Sequence, residues 1–462
     1  MTKPIPYHKG LPVVGVLNDF SSDQLGFFRR MRDTYGDIVS FQFFLYRVMM
    51  LNHPDLIQSA LVEHASKMQK APLDHAIFEN FLGNGLIISE GEMHKRQRKL
   101  MQPAFHSKRI ESYGTVTTDF TTQMIDDWQD GASLDIHAEM TRLTLLVVSK
   151  VLYDADVSQQ ADGIGDAIHI LNHHGEEQFK RGFVFPNWLP VKENRDIRSS
   201  MAEVNAVMMP IIEARRKANE DRGDLLSMLL AAQDEETGSG MSDQQVRDEA
   251  VTLFIAGHET TSNALAWTWA LLSQHPDVEA RLYAELDSVL GGRTPEVSDL
   301  PKLKYTDWVI KESMRLYPPA WILNARVPQE DIEIDGYAIP KDTWLFISPY
   351  VMHRDPRYFD HPDVFMPERW ANDFDKQIPR YAYFPFGGGP RVCIGNSFAM
   401  MEARLVLATV AQHYQLRLNP AHKLEPEPLI TLRPKHGLPM ILHKRAPRPV
   451  SAGEAAVPVQ VG

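Results

Sequence analysis

Between Ser242 and Pro276 the chain reads SDQQVRDEAVTLFIAGHETTSNALAWTWALLSQHP, apolar on most sides around 253–256 and again around 265–272. Ser242 followed by Gln245 is the pattern of a capping box, and no proline intervenes before Pro276. A helix of that extent is about 50 Å long and is expected to cross a core. Its middle breaks the pattern. Gly257, Glu259, Thr260 and Thr261 suit the centre of a buried helix poorly, and an unpaired carboxylate there costs several kcal/mol. Two readings follow. The threonine hydroxyls bond back to the preceding turn at a kink, or the polar groups face a cavity that needs a proton source.

Elsewhere the first half reads mostly as helices, with short strand candidates at 38–44 and 48–51. From 325 to 348 the chain alternates and carries turn signals such as Asp335-Gly336. The pattern is mainly α with a minor β-sheet. No Pro/Gly/Ser linker divides it, so one domain over 1–445 is expected. The Pro-, Ala- and Gly-rich tail 446–462 has little to bury and reads as disordered.

Charge and composition narrow the function. Of 462 residues, 44% are hydrophobic and 23% charged, with a net charge of −12. An acidic balance argues against nucleic-acid binding. The first residues carry prolines where a signal peptide has its apolar core. The longest uncharged stretch, 260–276, is rich in Thr, Ser, Asn and Gln and spans no membrane. A cytoplasmic protein is expected.

There is a single cysteine, Cys393, in FGGGPRVCIG. One cysteine excludes an intramolecular disulfide and a multi-cysteine zinc site. An inert buried thiol, a nucleophile and a single metal ligand remain. The following stretch, IGNSFAMMEARLVLATVAQHY, is an apolar-periodic helix. Cys393 therefore sits near a helix start, where free N–H groups favour a thiolate, and Arg391 adds positive charge.

Phe386, Gly389, Arg391, Cys393 and Gly395 reproduce the pattern F-x-x-G-x-R-x-C-x-G, and with it the chain resembles the cytochromes P450. AGHETT (256–261), KESMR with Glu312 and Arg315, and MPERW with Arg369 follow the family's other motifs in order. The resemblance covers about residues 5 to 445. E-x-x-R alone is weak, since Glu213 and Arg216 match it too.

The resemblance implies the P450 fold, with haem b between the long central helix and the cysteine-loop helix. Cys393 would be the axial iron ligand, and His94, Arg98, Ala256, Arg326, Phe386, Arg391 and Gly395 would bind the cofactor. Glu259 and Thr260 would deliver protons, while Glu312, Arg315 and Arg369 would form a buried charge network. Phe78, Phe81, Ile87, Phe183, Ala320 and Ile322, with Trp188, fall where the family places substrate contacts. The implied activity is a monooxygenase inserting oxygen from O2 into a C–H bond of a fatty acid, terpenoid or steroid-like molecule. The implied protein is a monomer taking electrons from a ferredoxin or flavodoxin with its NAD(P)H reductase. The remaining cations of HKRQRK (94–99), with Lys108 and Arg109, are a candidate dock for that acidic donor. A peroxide-driven peroxygenase and a non-catalytic haem sensor are the alternatives.

Overall fold

The capped helix is present. In the computed structural model it spans Asp243–Gln274, with Ser242 and Gln245 bonded reciprocally in a capping box. The structure describes residues 2–218, 220–232 and 240–446, without the side chains of Ser107 and Lys108. The tail reading therefore lies outside the described residues from 447 onward.

The central helix runs unbroken through its polar middle. Gly257 permits contact, since a Cβ there would lie 2.8 Å from Val148 Cγ2 on the neighbouring helix Ile136–Tyr153. The helices Lys192–Ala218, Lys304–Leu316 and Asn396–His413 also pack on it. Trp267 on its C-terminal half is fully buried, stacks on Tyr317 at 4.0 Å and donates to the Leu432 carbonyl at 3.0 Å.

The largest buried apolar cluster draws on residues from Val16 to Leu442, so the ends of the described chain share one core. The strand candidates pair as Ile38–Phe43 with Tyr46–Leu51. They join a six-stranded sheet in the order Tyr7–His8, Ile38–Phe43, Tyr46–Leu51, Trp344–Ile347, Arg326–Pro328, Met68–Lys70. Asp335 and Gly336 both take positive φ between Ile332–Ile334 and Tyr337–Ile339, the conformation their turn signal requires. Among the described residues no helix is long and apolar enough to cross a membrane.

Candidate functional site

The cysteine loop is shaped by its glycines. Gly387 and Gly389 have positive φ, and a Cβ on Gly389 would lie 2.0 Å from the Leu61 carbonyl oxygen. The Cys393 amide donates to the Phe386 carbonyl at 2.9 Å, closing the loop just before the helix Asn396–His413. The thiol opens on a slot of about 180 Å³ between this helix and the central one. Thr260, Ala264, Ala320, Phe386, Ala399 and Ala403 line it, mostly small side chains on both helices.

The charges around the thiol differ from expectation. Cys393 is exposed to that slot, yet the surrounding protein desolvates its thiol and pushes it up, while the Gly395 amide and Arg98 pull it down. Arg391 turns away and pairs with Glu90. Arg98 is the neighbouring cation instead, and its Nη1 donates to the Val392 carbonyl at 2.8 Å.

Arg391, Arg326 and Lys70 share one small hollow with Glu90. Lys70 is driven down to about 7 by burial and by the charge of Arg391. Arg326 is lowered to about 10 by the same causes. Arg391 keeps a buried Nη1 without a partner. Arg326 and Arg391, with the partly charged Lys70, outweigh the one carboxylate of the hollow, so it can take further negative groups. His94 is not a further cation: burial, then Arg391 and Lys70, push it down to about 3, so it offers a neutral N–H. The two carboxylates and flat ring of a haem fit this donor set, with charge in the hollow, one thiol in the slot and small walls on either side.

A larger cavity of about 250 Å³ adjoins the slot. Thr260, Ala320 and Leu323 border both. Phe78, Phe81, Ile87, Ala256, Glu259, Ile322 and Arg326 also line the larger one. Phe183 does not. The helix Ala161–Arg181 ends at Gly182 with φ 79°, which turns the chain outward. Phe183 is 40% exposed and stacks on Arg181, and Trp188 is 79% exposed.

Among the described residues no cation pairs with Glu259, and Arg433 acts on it only from a distance. Glu259 Oε1 accepts from Asn172 Nδ2 at 2.6 Å and from the Thr431 hydroxyl at 2.5 Å. Burial nevertheless pushes its carboxyl up, against those two donors. The Thr260 hydroxyl donates back to the Ala256 carbonyl at 3.0 Å without the expected kink, and the residue also borders slot and cavity.

Glu312 and Arg315, both 0% exposed, meet through two parallel 2.9 Å bonds. Arg369 reaches Glu312 at 3.4 Å. The Trp370 indole and the Met366 amide each donate to Glu312 at 3.0 Å. Arg315 donates on to the carbonyls of His353, Pro362 and Val364. Of the expected basic dock, Lys95 is exposed and pairs with Glu92 at 2.6 Å, and the Lys108 side chain lies outside the described residues.

Sequence reasoning missed Lys70, Glu90, Asn172, Glu176 and Thr431. They lie in stretches that only the tertiary fold brings to the site, and none carries a motif.

Comparison with known proteins gives the family. The family model described as Cytochrome P450 matches residues 5–439. The chain is 38% identical to the cyclooctatin synthase of Streptomyces melanosporofaciens, over 92% of each chain. It is 37% identical to the same organism's cyclooctat-9-en-7-ol 5-monooxygenase, over 84% of each. To the pentalenene oxygenase of Streptomyces avermitilis it is 32% identical, over 95% of this chain and 96% of the other.

Proposed function

The chain belongs to the cytochrome P450 family and is a monooxygenase; from that premise we propose that it hydroxylates a C–H bond of a compact apolar molecule held in the larger cavity. One observation carries this reading: Thr260 and Ala320 border both spaces, so a molecule in the cavity meets the slot onto which Cys393 opens. The apolar lining and the modest volume favour a carbocyclic skeleton over a long flexible chain. The activities named for two relatives, on pentalenene and on cyclooctat-9-en-7-ol, point the same way.

The Cys393 sulfur would hold haem b, which when bound would supply the oxygen activation that thiolate ligation favours. Lys70, Arg98, Arg326 and Arg391, with the neutral N–H of His94, would hold its carboxylates. Phe386 and Gly395 shape the loop, and Ala256 leaves room on the cavity side. Glu259, whose carboxyl burial shifts toward its neutral form, lines the larger cavity next to Thr260. Thr260 presents its oxygen there in a fixed orientation, set by the Ala256 carbonyl. One oxygen atom of O2 enters the C–H bond and the other leaves as water, consuming two protons and two electrons. A separate ferredoxin or flavodoxin with its reductase supplies the electrons.

The test is product formation by purified holoprotein from a carbocyclic hydrocarbon, comparing reduced donor plus O2 with added peroxide. Oxygenated product labelled from isotopic O2, dependent on the donor, is expected. Product only with peroxide would replace this reading by the peroxygenase one, and no product under either condition would favour the sensor. Cys393→His should remove the red-shifted band of the reduced carbon monoxide complex. Survival of that band in folded protein would overturn the thiolate assignment.

A further inference from the structure

The helix Ala161–Arg181 presents Asn172 and Glu176, one turn apart, to the larger cavity. Both are buried, Asn172 at 6% exposure and Glu176 at 3%. Glu176 Oε1 accepts from the Gln24 amide of the helix Gln24–Tyr35. Its Oε2 makes no hydrogen bond to any described residue. Nor is Oε2 sealed in, for it is absent from the enclosed, unpaired side-chain atoms of the described residues. Asn172 is in the same position: Nδ2 is committed to Glu259, while Oδ1 is unpartnered and open. Between them Gly175 lets Ile430 close over this face, since a Cβ there would lie 2.7 Å from Ile430 Cδ1.

Two buried oxygens thus remain to be met in a cavity that is otherwise mostly apolar. Their chemistry is complementary. Burial pushes the Glu176 carboxyl up to about 8, so it is mainly protonated at neutral pH. With Oε1 already accepting from Gln24, Oε2 carries the proton and donates. The Asn172 Oδ1 can only accept. A hydroxyl, which accepts and donates at once, is the smallest group that satisfies both.

We propose that Asn172 and Glu176 together recognise a single hydroxyl on an otherwise apolar carbocyclic substrate, so that the enzyme prefers an alcohol to its parent hydrocarbon. This rests on the reading of the larger cavity as the substrate site. The product is then a diol, and an earlier oxygenation or hydration must supply the substrate.

The experiment measures dissociation constants of the holoenzyme by equilibrium dialysis. The probes are matched pairs, adamantane with adamantanol and cedrane with cedrol, and the methyl ether of each alcohol. Wild type is expected to bind the alcohols at least about tenfold more tightly than the hydrocarbons. The ethers, which accept but cannot donate, should fall between. Glu176→Met keeps an unbranched side chain of similar size but removes the donor, and should lose the preference by weakening alcohol binding alone. Glu176→Gln keeps an N–H toward the cavity and should retain most of it. Equal binding of alcohol and hydrocarbon by wild type overturns the inference and leaves the substrate site intact. An undiminished preference in folded Glu176→Met also overturns it. Failure of every probe to bind overturns the substrate-site reading, and this inference with it.

Discussion

The Thr431 hydroxyl donates to Oε1 of Glu259 at 2.5 Å, linking the central helix to the hairpin of the paired strands Pro426–Pro428 and Leu432–Pro434, with Thr431 lying 172 residues further along the chain. That bond and the one from Asn172 stabilise the carboxylate form, while burial stabilises the acid and prevails. Removing one donor with Thr431→Val should therefore raise the Glu259 pKa further. The infrared carbonyl band of the protonated acid should persist to higher pH than in wild type. An ionisation that stays in place would mean that the hydroxyl does not tune Glu259.

Thr260→Ala deletes a hydroxyl whose one protein bond is to its own helix, and alanine is the better helix former. Stability should hold or rise. Product per reductant consumed should fall, with electrons lost to hydrogen peroxide, because a positioned proton-delivery group contributes about 10²–10⁴-fold. Unchanged coupling would reduce Thr260 to its back-bonded structural role.

Glu312→Ala would strand Arg315 in a site with no surface, and would leave the Trp370 indole and the Met366 amide unmet. A loss of about 3–5 kcal/mol is expected, read as a collapse in yield of haem-loaded protein and a large drop in melting temperature. A variant that loads and melts like wild type would contradict the burial of the pair.

Glu249 gives a pH-dependent counterpart. It lies 0% exposed on the central helix, with one oxygen accepting from the Leu86 amide and the other unpartnered. Burial raises it from 4.5 to about 8. The folded protein thus binds a proton more tightly than the unfolded chain. Its contribution is fully present below about 4.5 and is lost as pH rises toward about 8. Glu249→Gln should melt close to wild type at the acid end of that window and above it at the alkaline end. Parallel melting curves at both ends would remove Glu249 from the account.

Ala320 borders both slot and cavity and is small. Ala320→Phe should shift the position oxidised or abolish turnover while leaving the carbon monoxide spectrum unchanged. An unaltered product pattern would place Ala320 outside the substrate's path.

What was legible in the sequence was local or carried by motif. The capping box at Ser242 and Gln245 and the Asp335-Gly336 turn follow from rules that act within a few residues. Phe183 was misplaced because an aromatic residue in a loop does not reveal which way the chain leaves its helix; Gly182 decides that. Proximity in sequence sets Arg391 beside Cys393, whereas its guanidinium pairs with Glu90, 301 residues away. Glu176 and Asn172 were invisible for a related reason. On a helix they read as ordinary polar positions, and only the packing of Gln24 and Ile430 shows that they are inside.

Two buried tryptophans each spend their indole N–H on the hairpin that carries Thr431. Trp321 donates to the Leu429 carbonyl at 2.7 Å, and Trp267 to the Leu432 carbonyl at 3.0 Å. Both bonds hold backbone, so they are indifferent to which side chains the tip displays. Leu429 and Ile430 line the cavity between these two fixings. The hairpin is in effect a mounted tool holder. Its cutting edge at Leu429 and Ile430 can be exchanged for other shapes while the tryptophan mounting stays in place, so new substrate preferences are open to this chain without rebuilding its core.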